Sequence, residues 1–179
     1  MTLPVDQPPP QASAQSLVAI LTARLLTGAS ATAVLEDWCA ERGFPGAPLR
    51  AERFPGPQRP PEAAQRDHLR LAGGETVRHR RVRLVCGTTV LSIADNWYVP
   101  ARLTPGMNRS LDTTEVPFGR VVNALAPTRR TLDLRPLYEV GAAREPDEAL
   151  FTVTALLATP DGVPFCAVEE TYFGGVLGG

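Results

Sequence analysis

The residues of this chain able to do chemistry are arginines and glutamates set into apolar alternation. Arg78, Arg80, Arg81 and Arg83 fall within the run Arg78–Cys86, and Glu169-Glu170 within Pro164–Phe173. A guanidinium is a planar fork of donors that grips carboxylates and phosphates in pairs of bonds. A glutamate among apolar neighbours can hold a hydroxyl group or move a proton. All 18 basic residues are arginine and lysine is absent, which excludes a lysine Schiff base and a P-loop. No GxSxG, HExxH, GxGxxG or Walker sequence occurs, and the two histidines, His68 and His79, are too few for a His-rich metal centre. The three cysteines, Cys39, Cys86 and Cys166, form no Cys-x-x-Cys pair, so they read as buried free thiols. The expected chemistry is therefore an Arg/Glu pocket with no metal and no cofactor.

The rest of the composition bounds the molecule around such a pocket. With 179 residues, one domain over 13–179 buries roughly 70% of its unfolded surface, preceded by a flexible Pro-rich tail over 1–12. Hydrophobic content of 44% and charged content of 21% are globular values. A net charge of -1 gives no basic face, so nucleic acid is not an expected partner. The longest apolar run, Leu17–Leu26, is interrupted by Thr22 and Arg24, and the first residues lack the positive start of a signal peptide. The expectation is a cytoplasmic monomer or dimer with no membrane contact.

The elements that must position the Arg and Glu side chains follow from periodicity. Leu17, Ile20, Leu21 and Leu25 recur at helical steps after Ser13 and stop at Gly28. Ser30-Ala31-Thr32 offers a new N-cap for a helix through Val34, Leu35 and Trp38, ended by Gly43. Residues 44–64 hold six prolines and allow only a short strand near Leu49–Phe54. Along 78–86 the even face is apolar from Val82 onward, with Arg78 and Arg80 at its leading end; the odd face carries Arg81 and Arg83. That odd face either meets water or lines a polar cavity, because a buried guanidinium needs a partner. A turn at 87–89 leads into a strand over 90–99. Thr104-Pro105 opens a helix, and Phe118-Gly119 turns into another short one whose first N–H groups are free to meet an anion. Extended runs follow at Thr131–Tyr138, Leu150–Thr159 and Pro164–Phe173, with Asp161-Gly162 as a hairpin signal. Six strands and three or four short helices without a βαβ rhythm predict an α+β fold built on a mostly antiparallel sheet.

In order, Leu25-Leu26, Ser30-Ala31-Thr32, Leu35-Glu36, the arginine strand Arg81–Cys86, Val99-Pro100, Pro117-Phe118-Gly119-Arg120, and Gly162-Val163-Pro164 with Glu169 resemble the bacterial chorismate pyruvate-lyases. The resemblance spans about Ser16–Phe173. It implies a six-stranded antiparallel sheet with short helices enclosing an internal ligand cavity, and conversion of chorismate to 4-hydroxybenzoate and pyruvate without metal or cofactor. It implies Arg81 on the ring carboxylate, with Phe118 donating its backbone N–H to the same group from the turn that includes Gly119. Glu169 would hold the 4-hydroxyl and assist proton removal. Ala31 stands near a position where the family has methionine, which would enlarge the cavity. If the odd face is solvated, Arg80 replaces Arg81, and Glu170 likewise replaces Glu169. The effector domains of some bacterial transcription regulators share this fold, so a non-catalytic binder of a small aromatic carboxylate is the alternative.

Overall fold

A computed structural model describes residues 13–45, 48–54, 56–138 and 145–178. The Pro-rich stretch 1–12 lies outside the described residues. Helix α1 (Ala14–Thr27) starts where Ser13 Oγ accepts the Ser16 N–H, and α2 (Ala31–Glu41) where Ser30 Oγ accepts that of Ala33. The strands are β1 (Arg50–Arg53), β2 (Arg78–Cys86), β3 (Thr89–Tyr98), β4 (Thr128–Pro136), β5 (Ala149–Ala158) and β6 (Pro164–Phe173). They form one six-stranded sheet in the order β1-β2-β3-β6-β5-β4, with every neighbour antiparallel. The α+β fold expected from the strand count is the fold observed.

Period-2 alternation divides this sheet into two unlike faces. On one face, Val82, Leu84, Ala94, Val153 and Tyr172 pack with Val18, Leu21, Leu25, Leu35 and Trp38 of α1 and α2 into the main core. A full side chain such as Leu35 contributes about 1.5–3 kcal/mol by leaving water, and this stripe selects the even side of β2 as the helix-covered side. Further along the same face, α4 (Pro105–Thr113) and α5 (Phe118–Val121) supply Met107, Leu111 and Phe118 to a second cluster with Tyr98 and Leu157. The opposite face is covered by α3 (Ala63–Leu69), whose Leu69 meets Val99, Leu156 and Ala167.

Two elements have no counterpart in the periodicity of the sequence. Helix α3 follows directly on the Pro-rich stretch, started by a capping box in which Glu62 and Gln65 exchange bonds. The Gly-rich end beyond Phe173 is a packed 3-10 turn, Gly174–Leu177. Val176 is fully buried there and its carbonyl accepts the Trp38 indole N–H at 2.8 Å. A Cβ on Gly175 would collide with the Val90 carbonyl oxygen, so glycine lets this turn sit against the start of β3.

Candidate functional site

Between the helix-covered face and the helices lies a cavity of about 280 Å³. Val82, Leu84, Ala94, Asn96, Leu157, Val168, Glu170 and Arg129 form its floor, and α5 with the turn after it forms one wall. The α1–α2 corner, Ala29 to Thr32, forms the other. Gly119 is what allows the two walls to meet. A Cβ at that position would stand 2.7 Å from Thr32 Oγ1 and 2.9 Å from Ser30 Oγ. The close approach brings the starts of α2 and α5 to the same cavity, and helix starts carry backbone N–H groups without intrahelical partners.

The floor is polar at three points. Arg129 Nη2 donates to Glu170 Oε2 at 2.8 Å, with side chains only 2% and 7% exposed. Arg129 is held from behind by the Leu25 carbonyl at 2.8 Å and Thr131 Oγ1 at 3.3 Å. Tyr172 donates its hydroxyl to the same Glu170 Oε2 at 3.0 Å. Burial first, then the Glu170 charge, pushes the Tyr172 phenol well above its ordinary range, so it serves as a donor. Both bonds fall on Oε2, and no described residue donates to Oε1. Next to the pair, Asn96 is 3% exposed. Its Oδ1 faces the Cys166 thiol at 3.9 Å, while Nδ2 is buried without a partner. An unpartnered buried amide costs about 1–3 kcal/mol, which a ligand acceptor would offset.

The other face carries a second polar cluster, closed by the strap that leads into α3. The Arg59 N–H donates to His79 Nδ1 at 3.1 Å, which fixes the proton on Nε2, and Nε2 lies 2.6 Å from Asp95 Oδ1. Arg59 Nη1 reaches Asp95 Oδ2 at 3.1 Å and Glu169 Oε1 at 3.9 Å, and its guanidinium lies over the Trp97 ring. The Trp97 indole donates to the Arg59 carbonyl at 2.9 Å. Arg81 approaches Asp95 at 3.8 Å and covers the Phe54 ring. His79 has both ring nitrogens engaged and so has no free position for acid–base work.

Ala31, Phe118, Gly119 and Glu170 all line the cavity. Arg81 and Glu169 do not: they stand on the opposite face, with side chains 35% and 39% exposed. Of the two readings open for the odd side of β2, the one that lines this cavity does not hold, which removes Arg81 and Glu169 from it. Val82 and Leu84 join the apolar core under α1 and α2, where Arg81 and Arg83 would have no partners. Arg80 is on the cavity's face but beyond it, donating to the Leu111 and Val116 carbonyls. The guanidinium that meets Glu170 is Arg129, which sequence reasoning missed by starting β4 at Thr131. Alternation of Arg129 with Thr131 behind Pro127 was the available signal. Asn96, an amide on one strand face with Ala94 and Tyr98, was another.

No family model matches the chain. The uncharacterized protein y4mC of Sinorhizobium fredii (strain NBRC 101917 / NGR234) is 38% identical over 181 residues, spanning 92% of this chain and 76% of its own length. Among solved structures, the effector domain of PhnF from Mycobacterium smegmatis superposes with a TM-score of 0.55 at 13% identity, over 82% of this chain and 89% of that one. PhnF from the same organism gives 0.54 at 12% identity, over 89% and 80%. The ligand-binding domain of a candidate GntR-family transcriptional regulator from Bordetella bronchiseptica gives 0.51 at 18% identity, over 72% and 85%. The common ground is the fold, an open six-stranded antiparallel sheet of the chorismate lyase-like type. Among the described residues no helix is long and apolar enough to cross a membrane.

Proposed function

This chain belongs to one family with y4mC of Sinorhizobium fredii, and on that premise we propose that it is a small-molecule-binding domain whose ligand occupies the helix-covered cavity. The observation that carries this reading is the unpartnered Asn96 Nδ2, buried in the cavity floor that Glu170 also lines. The ligand is a small organic anion that also bears a hydroxyl group. Its charge lies against the starts of α2 and α5, and its hydroxyl donates to Glu170 while accepting from Asn96. A volume of about 280 Å³ is at the small end for ligand pockets and suits a single-ring acid such as 4-hydroxybenzoate. The effector-domain fold of the solved relatives supports binding over turnover. So does the Arg129–Glu170 pair, because each side chain already neutralises the other instead of facing a substrate across a gap.

The test combines thermal shift with a turnover assay on the whole chain. 4-Hydroxybenzoate and related hydroxy acids should raise the Tm in a saturable way, and Gly119→Val, which forces the two cavity walls apart, should abolish the shift. Chorismate should be neither consumed nor converted to pyruvate. Steady pyruvate release that Gly119→Val abolishes would replace binding by lyase chemistry. A shift that persists unchanged in Gly119→Val would move the ligand out of this cavity.

A further inference from the structure

A second concavity, of about 440 Å³, opens at the edge of the sheet where β1 has ended and the first half of β2 is uncovered. Its walls include Arg53, Arg78, Arg80 and Arg81, with Tyr98 and Phe54 as aromatic surfaces. Four guanidiniums face one carboxylate there, that of Asp112, which is already 3.0 Å from Arg78. Arg81 has its nearest carboxylate, Asp95, at 3.8 Å. Arg53 and Arg80 have no described carboxylate within ion-pair distance. Both donate instead to the Leu111 carbonyl, each at 3.2 Å, and Arg80 also to that of Val116 at 3.3 Å.

Arg80 is the unusual member. It is only 7% exposed, and its Nη1 is buried with no hydrogen-bond partner. Burial, then the charge of Arg53, lowers its guanidinium to about 10, which still leaves it protonated at neutral pH. Taking a cation out of water without an anion is costly, and carbonyl dipoles at the end of α4 meet only part of that cost.

We infer that this concavity is a second ligand site, built for a phosphate-type oxyanion that bridges Arg53 and Arg80 and takes the free Nη1 of Arg80. A dianion with three terminal oxygens matches several guanidinium donors better than one carboxylate does. The recessed position of Arg80 selects a small anion over a nucleic-acid backbone, which needs a long exposed basic track. Tyr98 and Phe118 touch at 5.6 Å between ring centroids, and this contact stands between the two cavities. The inference stands apart from the reading of the first cavity.

The test is calorimetric titration of the whole chain at low ionic strength with inorganic phosphate and with phenyl phosphate. One saturable site is expected, with tighter phenyl phosphate assigning it to an organic phosphate and tighter inorganic phosphate to the free ion. Arg53→Gln and Arg80→Gln should each raise the dissociation constant at least tenfold, while Arg135→Gln, a cation exposed on β4, should leave it unchanged. Arg53 is exposed, so its variant decides the matter even if Arg80→Gln fails to fold. Absence of a saturable site, wild-type affinity in Arg53→Gln, an equal loss in Arg135→Gln, or equal competition by duplex DNA at matched phosphate concentration would each overturn the assignment.

Discussion

The sheet carries an arginine–carboxylate cluster on each face, and the two differ in what they leave unsatisfied. Under the helices, Arg129, Glu170 and Tyr172 form a buried knot beside an open cavity, with Glu170 Oε1 and Asn96 Nδ2 unbonded among the described residues. On the far face, Asp95 is gripped by His79 and Arg59, and the strap that supplies Arg59 closes the cluster. Residue types are nearly the same on both sides. Enclosure with spare bonding capacity distinguishes a site that can receive a ligand from a clamp that holds a loop.

The strongest way to break this contrast is to remove one half of the buried pair. Glu170→Ala leaves the Arg129 charge uncompensated, and the expected loss is about 3–5 kcal/mol in chemical denaturation. The double variant Arg129→Met with Glu170→Leu should recover most of that stability, because the desolvation cost of both charges disappears together. Its cavity should nevertheless fail to bind hydroxy acids. Recovered stability with retained binding would make the pair a structural device only, and the cavity side would then resemble the far side.

The far-side clamp predicts a smaller and different effect. Asp95→Asn weakens the charged bonds from His79 and Arg59, and should cost about 1.5–3 kcal/mol. Protease sensitivity of the strap around Arg59 should rise, while hydroxy-acid affinity in the cavity stays within twofold. A tenfold loss of affinity would mean that the clamp and the cavity are coupled through the sheet.

What could be read in the sequence divides along the same line. Caps and alternation announced α1, α2, α4 and the central strands because those signals are local: Ser13, Ser30 and Thr104 do accept the N–H groups expected of them. Ala31, Phe118 and Gly119 were legible as corner and turn residues for the same reason. Which side of β2 faces the cavity was not local information. It is set by α1 and α2, whose Leu21, Leu25 and Leu35 claim the even side. A single step in parity exchanges Arg81 with Val82 and Glu169 with Glu170. Arg129 was hidden further, since it reaches Glu170 from a strand 41 residues earlier in the chain. Helix α3 begins only after four prolines within eight residues, where composition argued for loop and one capping box decided otherwise.

The smallest effect is expected where the sequence signal was loudest. Arg83 completes the Arg81-Val82-Arg83 pattern that drew attention to β2, yet its partner is Glu52 across the β1–β2 edge, at 3.1 Å. The two side chains are 41% and 28% exposed, so water and salt screen the pair from both ends. Arg83→Gln should change stability by less than about 1 kcal/mol and leave both proposed ligand sites intact. A double-mutant cycle with Glu52→Gln measures the pair directly, and a coupling well above 1 kcal/mol would show that the edge is more enclosed than its exposure indicates. A near-zero coupling would instead separate Arg83 from Arg80 and Arg81, three residues of one strand with three environments. Arg-x-Arg spacing on a strand then carries no function by itself; the proposed second site rests instead on the burial of Arg80 and its spare Nη1.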